Sequence, residues 1–209
     1  MIKNLLFDLG GVIMDIRRDN AVKALEGIGM ADANEFLGEY SQKGPFLALE
    51  DGSMTAEEFR TEIRKHINAT VSDDAIDAAF CEFLIGIPTH RLVALRELRQ
   101  RYGIYMLSNT NPIMWNSRIA EEFRHEGMEM SDYFDGIVTS FEAKSIKPDA
   151  KIFETAIEKY QLVPEETLFL DDSQKNLIES YSSKVIYKDF RGKYDCCQQS
   201  LAYTDAWIN

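Results

Sequence analysis

The chain has 209 residues, 45% hydrophobic and 28% charged, enough apolar content for a complete core, and no apolar run approaches the roughly 20 residues of a membrane span. A formal net charge of −12 argues against a nucleic-acid partner, because affinity for a phosphate backbone comes from clustered Lys and Arg. An anionic ligand would have to meet a local positive field, from a lysine, a helix N-terminus or a bound cation.

The N-terminal MIKNLLFDLGG has too few apolar residues before its aspartate for an export signal. Cys81, Cys196 and Cys197 fit neither a disulfide framework nor a zinc spacing, so a cytoplasmic protein with reduced thiols is expected. The first β-type run is LLF (5–7). From about residue 16 to 86 the pattern is helical and shows no convincing strand: DNAVKALEGIG, ANEFLGEYSQ, TAEEFRTEIRKHI and SDDAIDAAFCEFLIG. In the third of these, Thr55 and Glu58 match a capping box, and Phe59, Ile63 and Ile67 recur at fourfold spacing. SQKGPF reads as an exposed turn between helices, with Lys43 and Gly44 also available to a substrate loop. RLVALRELRQRYG places Leu92, Leu95 and Leu98 near one face and predicts a stop at Gly103. Further runs follow at IYML (104–107), GIVT (136–139), TLFL (167–170) and KVIY (184–187). Before TLFL, the helix DAKIFETAIEKY starts at Pro148-Asp149 and carries an Ile152, Phe153, Ala156, Ile157 stripe. Such alternation predicts an α/β protein with a parallel sheet covered by helices and a helical insertion after the first strand. Ligands in open α/β sheets bind beyond the carboxyl ends of the strands, so that insertion would cover the site.

Polar clusters gather at those carboxyl ends: Asp8 after LLF, Ser108-Asn109-Thr110-Asn111 after IYML, Lys147 before its proline-started helix, and Asp171-Asp172 after TLFL. Taken singly, each fits a cap or a turn. In order and spacing, FDLGGV, LSNTN, KPDAKIF and FLDDSQKN resemble the four motifs of the haloacid dehalogenase-like (HAD) hydrolase superfamily, and the resemblance covers nearly the whole chain.

The resemblance implies a Rossmannoid three-layer core (1–15 and 87–209) with an inserted all-helical cap (16–86), as in subfamily I. It implies a Mg²⁺-dependent phosphatase acting through an aspartyl-phosphate on a small phosphorylated metabolite such as a sugar phosphate. Asp8 would be the nucleophile, Ser108 and Asn109 would meet the phosphate, and Lys147 would neutralise charge on it and on Asp8. Asp8, the Gly10 carbonyl, Asp171 and Asp172 would hold the metal, a hard cation that prefers oxygen ligands, with Asn176 behind them.

One position departs from the pattern. The family's phosphatases usually carry a second aspartate, a general acid and base, where this chain has Gly10. Such help is typically worth about 10²–10⁴-fold in rate. Two substitutes are open: a good leaving group, such as the anomeric oxygen of a sugar 1-phosphate, or another acid, of which Asp15 is nearest in sequence. Arg17 and Arg18, near the expected cap entrance, are candidates for meeting an anionic substrate. The alternatives to a phosphatase are a haloacid dehalogenase, against which the adjacent acids at 171 and 172 speak, and a relative that binds a phosphometabolite or a protein without turnover.

Overall fold

The structure, a computed structural model, describes residues 1–38, 41–124 and 127–176 together with the strand at 186–189. His125, Cys196, Cys197 and the C-terminal aromatic residues lie outside the described residues. The chain opens with β1 (Asn4–Phe7) and the short β2 (Asp15–Ile16). Helices α1 (Arg18–Gly27), α2 (Ala33–Phe36), α3 (Gly44–Glu50), α4 (Ala56–Arg64) and α5 (Asp73–Cys81) follow, then β3 (Leu84–Gly86). The second half runs through α6 (Thr89–Arg99), β4 (Gly103–Ser108), α7 (Pro112–Met114), a π turn (Trp115–Ile119) and α8 (Ala120–Glu122). It continues with α9 (Met130–Tyr133), β5 (Gly136–Thr139), α10 (Ser140–Ala143), α11 (Ala150–Tyr160), β6 (Thr167–Asp171) and β7 (Ile186–Asp189).

The five long strands form one parallel sheet in the order β5-β4-β1-β6-β7. Pairing runs Phe7↔Met106 on one side of β1 and Phe7↔Leu170 on the other. The chain leaves β1 toward β4 and β5, then crosses to β6 and β7, so the strand order reverses at β1. A crevice is expected at the carboxyl end of such a strand, and there the Asp8 N–H bonds the Leu170 carbonyl at 2.9 Å. Alternation along β1 feeds both faces. Leu5 and Phe7 join the core with Leu92, Leu95 and Leu98 of α6, whereas Leu6 packs with Ile152, Phe153 and Ala156 of α11. Helices on both faces of a parallel sheet make the three-layer α/β core.

Helices α1 to α5 are held together by their apolar faces. Phe46 meets Phe59 and Phe80 edge-on and those two rings stack on each other, with centroids 4.9–5.6 Å apart. Arg60 forks onto Asp77 through bonds of 2.9 and 2.6 Å, tying α4 to α5. The Thr55–Glu58 capping box is formed as its sequence predicts.

Three sequence expectations need correction. The segment between β1 and β4 is not free of strand, because β2 and β3 form an antiparallel ribbon pairing Asp15 with Gly86 and Ile16 with Leu84. Its strands are two and three residues long, too short to show alternation. The expected turn at SQKGPF begins a helix, α3, with Pro45 in its first turn, where a missing N–H costs nothing. Gly103 does not stop α6; that helix ends at Arg99 and Gly103 starts β4. Among the described residues, no helix is long and apolar enough to cross a membrane.

Candidate active site

A cavity of about 840 Å³ lies between the carboxyl ends of the strands and the helical segment. Asp8, Gly10, Ser108, Asn109, Lys147 and Asp172 line it, and Asp171 lies fully buried beside Lys147. Thus the strand-end clusters singled out from the sequence converge on one place.

Lys147 is the electrostatic centre. Its Nζ sits 2.7 Å from Asp8 Oδ1 and 2.8 Å from Asp171 Oδ2, and the residue is 4% exposed. Burial alone would lower the lysine, but Asp171 and Asp8 more than offset it and hold it above its ordinary value, so it is a cation. Its backbone is fixed by the side-chain amide of Asn109, which donates to the Lys147 carbonyl (3.0 Å) and accepts from its N–H (2.7 Å). That amide, expected to meet substrate, is therefore occupied in placing the lysine. Ser108, at the end of β4, is 2% exposed, and its hydroxyl is 3.5 Å from the Asn109 carbonyl, a contact weak enough to yield to a ligand.

Asp171 also accepts from the Ser173 N–H (2.7 Å) and from Asn176 Nδ2 (3.1 and 3.2 Å), so Asn176 stands behind the acids as its position implied. Asp8, Asp171 and Asp172 offer carboxylate oxygens all within 4.8 Å of one another. Three carboxylates facing one lysine, once ionised, leave an excess of negative charge, which would repel a phosphate dianion. Hard oxygen donors with excess negative charge fit Mg²⁺. The loop carrying Gly10 approaches these acids closely. A Cβ at Gly11, whose φ is +76°, would lie 2.2 Å from Asp172 Oδ2, so only glycine lets the loop pass there. Asp8, Asp171, Asp172 and the Gly10 carbonyl would hold the ion. When bound, it supplies positive charge to phosphate oxygens.

Burial pushes the Asp8 carboxyl up to about 7, with Asp171 and Asp172 adding to the rise and Lys147 opposing it. Other acids on the cavity differ. Asp15 also lines the cavity, but its carboxylate accepts from Arg91 Nη1 at 2.8 Å and is committed to that ion pair. Arg18 is likewise engaged, donating to the Leu37 carbonyl and to Asn34. Arg17 lines the cavity with no side-chain partner among the described residues. Lys43 and Gly44 are exposed and do not line it, whereas neighbouring Gln42 does.

The residue that sequence reasoning missed is Glu50, the last residue of α3, which lines the cavity while only 8% exposed. Its spacing of four from Phe46 was the available signal, an acid on an apolar helix face. Burial raises Glu50 from 4.5 to about 7, Lys147 opposing and Asp51 reinforcing the shift. An acid raised on folding contributes most stability below its unfolded value, and loses that contribution as pH climbs from about 4.5 to about 7. Glu50→Gln is accordingly expected to match the parent near pH 4 and to exceed it by up to about 3 kcal/mol near pH 8 in urea unfolding. A difference that does not change with pH would contradict this.

Residues 2–178 match the family model described as haloacid dehalogenase-like hydrolase. The chain is 38% identical over 177 residues to a D-ribitol-5-phosphate phosphatase of Bacteroides thetaiotaomicron, covering 85% of this chain and 86% of that protein. A crystal structure of a HAD family enzyme from the same bacterium, in complex with magnesium and inorganic phosphate, aligns with a TM-score of 0.87 at 36% identity, covering 93% of this chain and 97% of that one. A HAD-like family hydrolase from Porphyromonas gingivalis aligns with a TM-score of 0.89 at 30% identity, covering 100% and 98%. L-2-haloacid dehalogenase from Xanthobacter autotrophicus, 18% identical with a TM-score of 0.63, shares the fold. The chain belongs to the haloacid dehalogenase-like hydrolases. Within that family it is a Mg²⁺-dependent phosphoric monoester hydrolase.

Proposed function

We propose that this phosphatase hydrolyses the terminal phosphate of a small polyol or sugar, a pentitol or pentose 5-phosphate, in the cytoplasm. The observation that carries the reading is that Asp8, Ser108 and Lys147 line one cavity of about 840 Å³, with room for a short polyhydroxylated chain and with Lys147 paired to Asp8, in a protein 38% identical to a D-ribitol-5-phosphate phosphatase. In this reading residues 16–86 are the cap and 1–15 with 87–209 the catalytic core.

Asp8 attacks phosphorus, its oxygen forming a bond as the ester oxygen departs, and the aspartyl-phosphate is then cleaved by water. Lys147 holds Asp8 in place and balances charge on the transferring group, while the Ser108 hydroxyl donates to a phosphate oxygen. Arg17 and Gln42 offer donors to the substrate's hydroxyl groups from the cap side. A dehalogenase would gain nothing from Asp171 and Asp172, whose charge repels a carboxylate substrate when no cation is held. A 5-phosphate is an ester of a primary alcohol, a poor leaving group, so leaving-group acidity does not make up for Gly10.

The test is phosphate release from ribitol 5-phosphate, ribose 5-phosphate, hexose 6-phosphates and sugar 1-phosphates, with Mg²⁺ and after chelation. Five-carbon 5-phosphates are expected to lead, with a loss of roughly 10²-fold or more on removing the metal. Release from none of these esters, or release indifferent to chelation, would refute the proposal.

A further inference from the structure

Expelling a primary alkoxide without a proton is costly, and the site's core offers no acid at Gly10. Resting on the phosphatase reading above, we propose that Glu50, delivered by α3, is the general acid and base of the reaction. The case is one of position. Glu50 lines the cavity that holds Asp8, Ser108 and Lys147, and is more than nine-tenths buried. Its carboxyl has no hydrogen-bond partner among the described residues, and neither oxygen is sealed from the cavity. A buried carboxyl left without a partner is costly unless a ligand completes it.

The other acids on the cavity are committed. Asp15 is bonded to Arg91 and Asp19 to Arg18, and Asp8 and Asp172 belong to the cation-binding set. The backbone of Glu50 is anchored to the catalytic core. Its carbonyl accepts from the Ser140 hydroxyl (2.6 Å), the same hydroxyl that accepts from the Thr110 N–H (3.0 Å), two residues beyond Ser108. Two residues further on, a Cβ at Gly52 would lie 2.1 Å from the Phe141 carbonyl oxygen, so this turn is pressed directly against α10. The end of α3 is thereby registered on the loop that carries Ser108. The charged groups acting on the carboxyl are Lys147, which favours the carboxylate, and Asp51, which opposes it. With burial the outcome lies near 7, so both protonation states are populated at neutral pH.

In the first step Asp8 bonds to phosphorus, the bond from phosphorus to the ester oxygen breaks, and the Glu50 proton passes to that oxygen, releasing the alcohol. In the second step the Glu50 carboxylate takes a proton from water as the water oxygen bonds to phosphorus. The bond from phosphorus to Asp8 breaks, and phosphate, free Asp8 and protonated Glu50 result.

The experiment compares kcat/KM of the Mg²⁺-loaded parent and Glu50→Gln on ribitol 5-phosphate and on 4-nitrophenyl phosphate, whose leaving group needs no proton. The expected loss is about 10²–10⁴-fold on the alkyl ester and less than about tenfold on the aryl ester, which also serves as the folding control. Equal losses on both esters, or no loss on the alkyl ester, would overturn the assignment. A second readout needs no variant: kcat/KM of the parent across esters of graded leaving-group acidity should vary shallowly, and a steep dependence would overturn it as well. A parent inactive on every alkyl ester would count against the phosphatase reading itself, whereas an active parent with an indifferent Glu50→Gln counts against Glu50 alone.

Discussion

Replacing Lys147 by methionine is expected to remove activity and much of the stability together. Methionine keeps the unbranched apolar stem of lysine but leaves the Asp8 and Asp171 carboxylates, 2.7 and 2.8 Å from the lost ammonium, without their shared cation. Breaking a buried pair by deleting one partner typically costs about 3–5 kcal/mol, because the remaining charge stays desolvated. Here one deletion strands two carboxylates beside a third. The loss should appear as a lower urea midpoint at pH 8 with unchanged slope, and should shrink toward pH 5 as the Asp8 carboxyl, which burial pushes up to about 7, takes up a proton. Adding Mg²⁺ at pH 8 should restore part of the stability, since the cation neutralises the same acids. Activity should remain at least about 10³-fold down even then, because charge on the transferring group is no longer balanced from that side. A variant as stable as the parent at pH 8 would mean that Lys147 is not the counter-charge of this cluster.

How much of this was legible depended on the length of each pattern. The strands at 4–7, 103–108, 136–139 and 167–171 are apolar runs ending in polar residues, so their positions and the residues at their carboxyl ends could be read directly. The sheet order was not readable, because it is set by contacts distant in sequence, such as Leu6↔Tyr105 and Leu6↔Phe169. Helix α3 escaped because Gly44 and Pro45 carry the local signature of a turn, and only the packing of Phe46 and Leu49, both fully buried, shows that the proline starts a helix. Missing α3 also hid Glu50. Conversely, Asp15 was nominated for its nearness in sequence to Asp8, and the structure gives it to Arg91, a partner 76 residues away. Motif position puts Asn109 beside the substrate, while its residue type at a strand end suits a structural role, and its amide does bridge to the Lys147 backbone, a contact spanning 38 residues.

Asp8→Asn is expected to separate chemistry from folding, where Lys147→Met does not. An asparagine side chain is nearly isosteric, and its oxygen can still accept from the Leu9 N–H, which reaches Asp8 Oδ1 at 2.7 Å. Lys147 keeps Asp171 as its counter-ion. In the metal-free protein the change removes a carboxyl that burial has already pushed up to about 7. The ionised form of such a group opposes folding above that value, so at pH 8 the variant should be at least as stable as the parent, and near pH 4 the two should converge. Catalysis should fall by roughly 10⁴-fold or more, because an amide oxygen is a far weaker nucleophile and no covalent intermediate can form. Intact-mass spectrometry after acid quench should find a phosphorylated chain in the parent during turnover and none in the variant. Turnover within tenfold of the parent, or a phosphorylated variant, would place the nucleophile elsewhere. Loss of activity with stability retained would show that Asp8 is present for its reaction, at a cost to the free fold that Lys147 and a bound cation offset.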